Sequence, residues 1–176
     1  MKHIETSHTL LELYQEADFT KVVLESRFSA PDIRGLVFNK KFTLACMRDC
    51  FLRGEAPYAS HVIYAQTHIL DDFIASERAL GMHAGFLWGD LALKTVVYTD
   101  LGISTGMQMG IEHAEKMSRA VEYRTLGYLP EVRDDEVELE TKIIENQKKL
   151  LQELKANVHA NANMCLTETI KISRAL

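Results

Sequence analysis

The stretch Val96-Val97-Tyr98-Thr99-Asp100-Leu101-Gly102-Ile103-Ser104-Thr105-Gly106-Met107-Gln108-Met109-Gly110-Ile111-Glu112-His113-Ala114 decides the fold. The apolar run 95–98 has the composition of a strand covered on both faces. It ends at Asp100, turns through Gly102 and enters a helix that Ser104 or Thr105 caps. Gly102 and Gly106 let backbone come close to whatever lies at the strand's carboxyl end. In open α/β sheets ligands bind at that end, and the unpaired N–H groups of a new helix there suit an anion or a hydroxyl-rich molecule. Asp100 and Ser104 therefore have two readings. Either they only cap the helix, or Asp100 holds ligand hydroxyls.

Working towards the N-terminus, residues 21–26 form the first strand candidate, which breaks into Arg27-Phe28-Ser29-Ala30-Pro31 because a proline cannot continue a central ladder. Residues 39–53, with Phe42, Leu44, Cys46, Cys50 and Phe51, predict a helix ended by Gly54. Residues 56–64 predict a second strand that ends among polar groups near His61, and strand, helix and strand together form a right-handed βαβ unit. A loop over 64–73 carries the acidic pair Asp71-Asp72. The helix expected over 77–93 contains Gly81, Gly85 and Gly89. Each glycine costs about 1 kcal/mol relative to alanine, so something must approach that face, and close packing on the sheet is the expected cause.

On the C-terminal side, residues 120–124 predict a short last strand, and Pro130 with the charged run 133–136 marks the edge of the α/β domain. Beyond it Val137, Ile144, Leu151 and Val158 recur every seven residues, with Ile143, Gln147, Leu150 and Leu154 beside them. That is a helix with one apolar stripe, long enough to lie along a partner helix. A contact between subunits through this stripe is favoured over folding back onto the domain. A second helical piece, 165–176, follows the polar stretch 159–163, and residues 7–16 predict a short amphipathic helix at the start. The chain thus divides into an N-terminal helix (1–20), an α/β domain of four to five parallel strands flanked by helices (21–130) and a C-terminal helical oligomerisation segment (131–176).

With 176 residues the chain is long enough to bury a core without disulfides or metals. A formal net charge of -5 argues against nucleic acid or an anionic membrane as the main partner. Cys46, Cys50 and Cys165 make no even framework, and reduced packing in a cytosolic setting is expected. No run approaches the length of a membrane span, and no signal-peptide core is present. Zinc spacings, a Walker loop and the G-x-G-x-x-G pattern are all missing, so neither a metal nor a cofactor is expected.

Residues 45–61 (Ala45-Cys46-Met47-Arg48-Asp49-Cys50-Phe51-Leu52-Arg53-Gly54-Glu55-Ala56-Pro57-Tyr58-Ala59-Ser60-His61), then Leu70-Asp71-Asp72, Glu77-Arg78-Ala79-Leu80-Gly81, the stretch 98–110 and Val121-Glu122-Tyr123-Arg124 resemble a family of phage and bacterial proteins, itself similar to the nucleoside 2-deoxyribosyltransferases. The resemblance spans residues 22–126. It implies a small Rossmann- or flavodoxin-like parallel sheet, usually in an oligomer, with a nucleoside or nucleotide pocket over the strand ends. In a phage protein the compartment would be the host cytoplasm. The deoxyribosyltransferases use a glutamate shortly after the Gly-Met turn as nucleophile on the sugar's anomeric carbon. After Gly106-Met107 this chain has Gln108, and a neutral amide can be neither nucleophile nor leaving group. Glu112 lies one turn further, about 5 Å along the helix, and is the alternative carboxylate.

The candidate ligand-binding residues are Ser26, Arg27, Phe28, His61, Asp71, Asp100, Gly102, Ser104, Gly106, Met107 and Gln108, with Glu112 as the catalytic candidate. Arg27 has the planar fork that matches phosphate oxygens. His61 either contacts a phosphate or ribose or is a half-buried side chain bonded within a loop; Asp71 and Asp72 either hold a ligand or form a solvated turn; Trp88 and Phe86 read as core. Two function classes remain open. One is a non-catalytic pocket that sequesters a nucleotide-derived molecule such as a host defence signal, and the other is an enzyme of N-glycosidic bond chemistry. A purely structural oligomerisation module comes third, since it leaves the polar strand ends unexplained.

Overall fold

The computed structural model describes residues 19–66 and 69–173. The helix expected over 7–16 and the side chains of Val158 and Cys165 lie outside the described residues. Four strands, β1 (Thr20–Glu25), β2 (Glu55–Tyr58), β3 (Lys94–Tyr98) and β4 (Ala120–Arg124), form one parallel sheet in the order β2-β1-β3-β4. The helices are α1 (Ile33–Leu52), α2 (Ser60–Tyr64), α3 (Ala75–Gly89), α4 (Thr105–Lys116) and α5 (Asp134–Ser173). This is the expected α/β architecture with a C-terminal helix, and its sheet is Rossmann-like.

Strand alternation sends the core to two sides. Val22, Leu24, Val96 and Tyr98 pack with Phe42, Cys46 and Cys50 of α1. On the other face Val97 meets Met107 and Ile111 of α4, with Val121 beside them. Cys46 and Cys50 are free, buried and one helical turn apart, as expected for reduced packing. Burial pushes the Cys50 thiol up to about 11, so it stays protonated and unreactive at neutral pH.

The α1 side also carries an ion network. Arg124 is bidentate to Glu55 at 2.7 and 2.7 Å and reaches Glu122 at 2.7 Å, while Lys94 pairs with Glu55 at 2.7 Å and Glu122 at 2.8 Å. Desolvation works to raise the Glu55 carboxyl, but hydrogen bonds from Arg124 and Lys94 outweigh it and hold the group below its usual range. Tyr98 donates to Asp49 at 2.6 Å, tying the carboxyl end of β3 to α1.

Several boundaries differ from the expectations: α1 begins at Ile33 rather than residue 39, capped by Asp32, which accepts from Gly35 N. The second strand stops at Tyr58, where its pairing with β1 ends at Val23, and the chain turns at once into α2, so His61 sits on a helix rather than a strand. The glycine-bearing helix ends at Gly89 instead of residue 93, because Leu93 already donates to the Lys21 carbonyl at 3.0 Å as the chain joins the sheet. The polar stretch 159–163 does not divide the C-terminal segment: α5 is continuous, and no glycine or proline lies within it.

The first turns of α5 lie against α1. Lys40 pairs with Glu140 and Lys41 with Glu136, both at 2.7 Å, and Arg34 pairs with Asp134. Val137, Ile144, Gln147 and Leu151 are half-buried, whereas Leu139, Ile143, Leu150 and Leu154 are exposed. The helix is about 60 Å long and α1 only about 30 Å, so α1 cannot cover it to its end.

Candidate functional site

The two ends of β1 and α4 build the site. Asn39 of α1 donates to the Phe28 and Ser29 carbonyls at 2.9 and 3.1 Å, and this fixes the loop that follows β1. Thr43, one turn on, donates to the Asn39 carbonyl at 2.9 Å, so its single proton is used and Ser26 Oγ must donate to Thr43 Oγ1 across 2.8 Å. Ser26 then accepts from His61 Nε2 at 3.2 Å. This assigns the Nε2–H tautomer to His61 and leaves Nδ1 as an acceptor. Burial pushes the His61 pKa down to about 4, the Asp72 charge opposing, so the ring is neutral at physiological pH. The Phe28 ring packs edge-on against it with centroids 5.3 Å apart.

Between that loop, α2, α3 and the first turn of α4 lies a cavity of about 290 Å3. Gly81 and Gly85 line it, and the glycine row of α3 turns out to have several neighbours. A Cβ on Gly85 would stand 2.8 Å from the Ser60 Cβ of α2, one on Gly81 3.1 Å from Leu70, and one on Gly89 3.0 Å from Val23. Only the last packs on the sheet; the first two let α2 and Leu70 close the cavity wall. Phe86, read from sequence as core, also lines the cavity and stacks on His113, centroids 4.2 Å apart.

At the mouth, Arg78 donates to Asp72 at 2.6 Å, and Ser29 donates to the same oxygen at 2.9 Å. The second Arg78 nitrogen lies 3.1 Å from where a Cβ on Gly106 would stand, which places a cation over the N-terminus of α4. Ser104 caps that helix by accepting from Met107 N at 3.3 Å. A cation and a helix N-terminus side by side favour an anion.

One cavity residue has a charge problem. The Glu25 side chain, on the face of β1 opposite α1, opens onto the cavity and is otherwise surrounded by protein. Among the described residues it makes no hydrogen bond or ion pair. Burial pushes its pKa up to about 8, against the opposing pull of Arg119, so the carboxyl is largely protonated at neutral pH. Its Oε1 occupies the space where a Cβ on Gly110 would stand. Glycine at 110 is therefore what makes room for the Glu25 carboxyl.

Of the residues singled out from sequence, Ser26, Arg27, Phe28, His61, Ser104, Gly106 and Met107 line the cavity together. The others do not. Asp100 neither caps α4 nor faces the cavity: its carboxylate accepts from Leu126 N at 2.9 and 3.0 Å and from Gly127 N at 3.1 Å, and it anchors the chain after β4. Asp71 closes its own turn, accepting from Phe73 N at 3.0 Å, while its neighbour Asp72 faces the cavity. Gly102 is exposed with φ 71°, a position that needs glycine for its turn. Gln108 and Glu112 are exposed on the outer side of α4 and bonded to each other at 3.1 Å, so neither amide nor carboxylate points at the site. Sequence reasoning missed Glu25, Glu77 and Arg78. The signal for Glu25 was there: a charged residue closing the run Val22-Val23-Leu24 in a strand expected to be buried on both faces.

Fold and cavity together define an α/β domain with a Rossmann-like sheet and a small-molecule-sized cavity at its carboxyl edge. Residues 20–124 match a family described as a domain of unknown function (DUF7768), and the chain belongs to that family. The match takes in β1 to β4 and every residue of the cavity, and leaves out α5. No curated protein and no solved structure matches the chain. No group of side chains among the described residues could hold a metal ion, and no helix among them is long and apolar enough to cross a membrane.

Proposed function

We propose that the cavity binds a nucleoside- or nucleotide-class small molecule. The observation that carries this reading is the juxtaposition of Arg78, the N-terminus of α4 and Arg27 with the rings of Phe28 and Phe86 around one cavity at the carboxyl end of β1. The cations and helix N–H groups suit a phosphate, the rings suit a base, and parallel α/β sheets present ligands at this edge. A volume of about 290 Å3 is at the small end of ligand sites, which favours a mononucleoside over a dinucleotide. The resemblance to the deoxyribosyltransferases supports the same ligand class. On this reading the bound molecule is sequestered intact, as a phage protein would hold a host nucleotide signal.

A second reading, N-glycosidic bond chemistry, is favoured by one observation: a carboxyl does face the cavity, although not the one expected on α4. We also propose that the exposed row Leu139, Ile143, Leu150 and Leu154 joins copies of the chain, since it continues past the reach of α1. The binding reading is tested by titrating the purified protein with a panel of nucleosides and their 5′-monophosphates by calorimetry. An ion-paired hydrogen bond is worth about 1.5–3 kcal/mol, so Arg78→Ala should weaken the monophosphate roughly ten- to a hundredfold while weakening the matching nucleoside little. Equal loss for both, or no binding of any member, would contradict it.

A further inference from the structure

We propose that an apolar groove on the outer side of α1 is the seat of the chain's own N-terminal segment, residues 10–17, held there as a helix running parallel to α1. The groove is lined by Leu44, Met47, Arg48, Phe51 and Leu52. This spacing, one helical turn after another, puts all five on one face of the helix. Leu44, Phe51 and Leu52 are 55, 42 and 56% exposed, so among the described residues this apolar face is only partly covered. The helix α5 pairs with α1 through Arg34, Lys40 and Lys41, upstream of the groove.

Three observations select the occupant. First, the described chain begins where the groove ends. The Phe19 ring meets the Phe51 ring edge-on with centroids 6.4 Å apart, and Thr20 N donates to the Gly54 carbonyl at 3.1 Å. Residues 1–18, which lie outside the described residues, therefore join the domain at the groove itself and need no linker to reach it. A segment that lies in the groove and ends at Phe51 runs from Leu44 towards Phe51, in the same direction as α1. Second, Leu10, Leu13, Tyr14 and Ala17 repeat the spacing of the groove residues. A helix from Leu10 to Ala17 is about 10 Å long, against about 12 Å from Leu44 to Leu52. Third, residues 9–18 carry Glu12, Glu16 and Asp18 and no cation, while the charged residue in the groove is Arg48. Docked in this way, the segment shields the apolar end of α1 and fixes the chain just ahead of β1, the strand whose far end carries the cavity. Filled from within the chain, the groove is closed to a second copy, and contact between copies falls to the exposed row of α5.

The test reads amide hydrogen exchange by mass spectrometry on the full chain. In the wild type, residues 10–17 should exchange at least about tenfold more slowly than an unstructured chain. Leu44→Asp puts a charge at an exposed position of the groove and should return residues 10–17 to the unstructured rate, while the protection of β1 to β4 stays as it was. A disulfide then reads which chain supplies the segment. Leu10→Cys and Leu13→Cys are each combined with Leu44→Cys in a Cys165→Ser background, where Cys46 and Cys50 remain buried, and the oxidised proteins are run on a non-reducing denaturing gel. A disulfide needs Cα atoms within about 7 Å of each other, so at least one pair should lose its thiols at the mass of a monomer. Four results would each overturn the proposal: unprotected residues 10–17 in the wild type, protection that survives Leu44→Asp, a covalent dimer in which a second copy fills the groove, or thiols that persist in both pairs.

Discussion

The two faces of the sheet solve the problem of buried polar groups in opposite ways. On the α1 face, Arg124, Glu55, Lys94 and Glu122 satisfy one another at 2.7–2.8 Å, and Tyr98 is tied to Asp49. On the α3–α4 face, three glycines bring backbone close, a cavity remains, and the one carboxyl at its floor has no partner among the described residues. A fully paired network is what a structural face needs, whereas an unpaired half-buried carboxyl is a cost that function tends to explain. The comparison teaches where to look for chemistry: opposite α1.

The comparison breaks most visibly at Arg124. Removing one partner of a buried pair leaves the other charge stranded, so Arg124→Ala should destabilise the domain by about 3–5 kcal/mol in urea denaturation at neutral pH. A cost below about 1 kcal/mol would mean that the network is solvated and that the two faces do not differ.

Glu25→Gln should act in the other direction. The folded carboxyl keeps its proton up to about 8 whereas the unfolded one ionises near 4.5, so between those values the folded state binds more protons and stability falls as pH rises. The glutamine has no such loss. Its advantage should be negligible near pH 4.5, grow across the interval by at most about 1.4 kcal/mol per pH unit and level off above it, as read from denaturation curves at pH 4.5, 6 and 8.

Gly110→Ala should cost a net of about 1 kcal/mol, because overpacking against Glu25 outweighs the helix gain of losing a glycine. In a Glu25→Ala background the same change should become neutral or stabilising, a coupling that a double-mutant cycle reads directly. The smallest effect on the fold itself belongs to α5. Leu150→Asp with Leu154→Asp should leave the denaturation midpoint unchanged while lowering the mass measured by light scattering. An unchanged mass would remove the proposed contact between copies.

Much of the fold was legible in sequence because hydrophobic runs and glycines are local signals. The run 95–98, the break at Asp100 and the Ser104 cap gave β3 and α4, and the βαβ unit followed from residues 21–58. The second strand was drawn too long because Val62, Ile63 and Tyr64 are apolar and β-favouring, and only the end of pairing with β1 decides that the chain coils there. The site was half legible. Residues next to a strand end, such as Ser26, Arg27 and Phe28, were found by position along the chain. Asp100 was misread because its partners, the Leu126 and Gly127 N–H groups, lie about a quarter-hundred residues away, and no local pattern reveals them. Glu25 and Gly110 form one feature only in space, a carboxyl and the gap that admits it.

The most direct measurement is the titration of the Glu25 carboxyl carbon by NMR in protein carrying 13C-labelled glutamate, with Glu25→Gln identifying the resonance. A midpoint near 8, well separated from the other glutamates, is the predicted result. A midpoint at or below 4.5 would show an ordinary ionised carboxylate and contradict the account of this face as the chemical one.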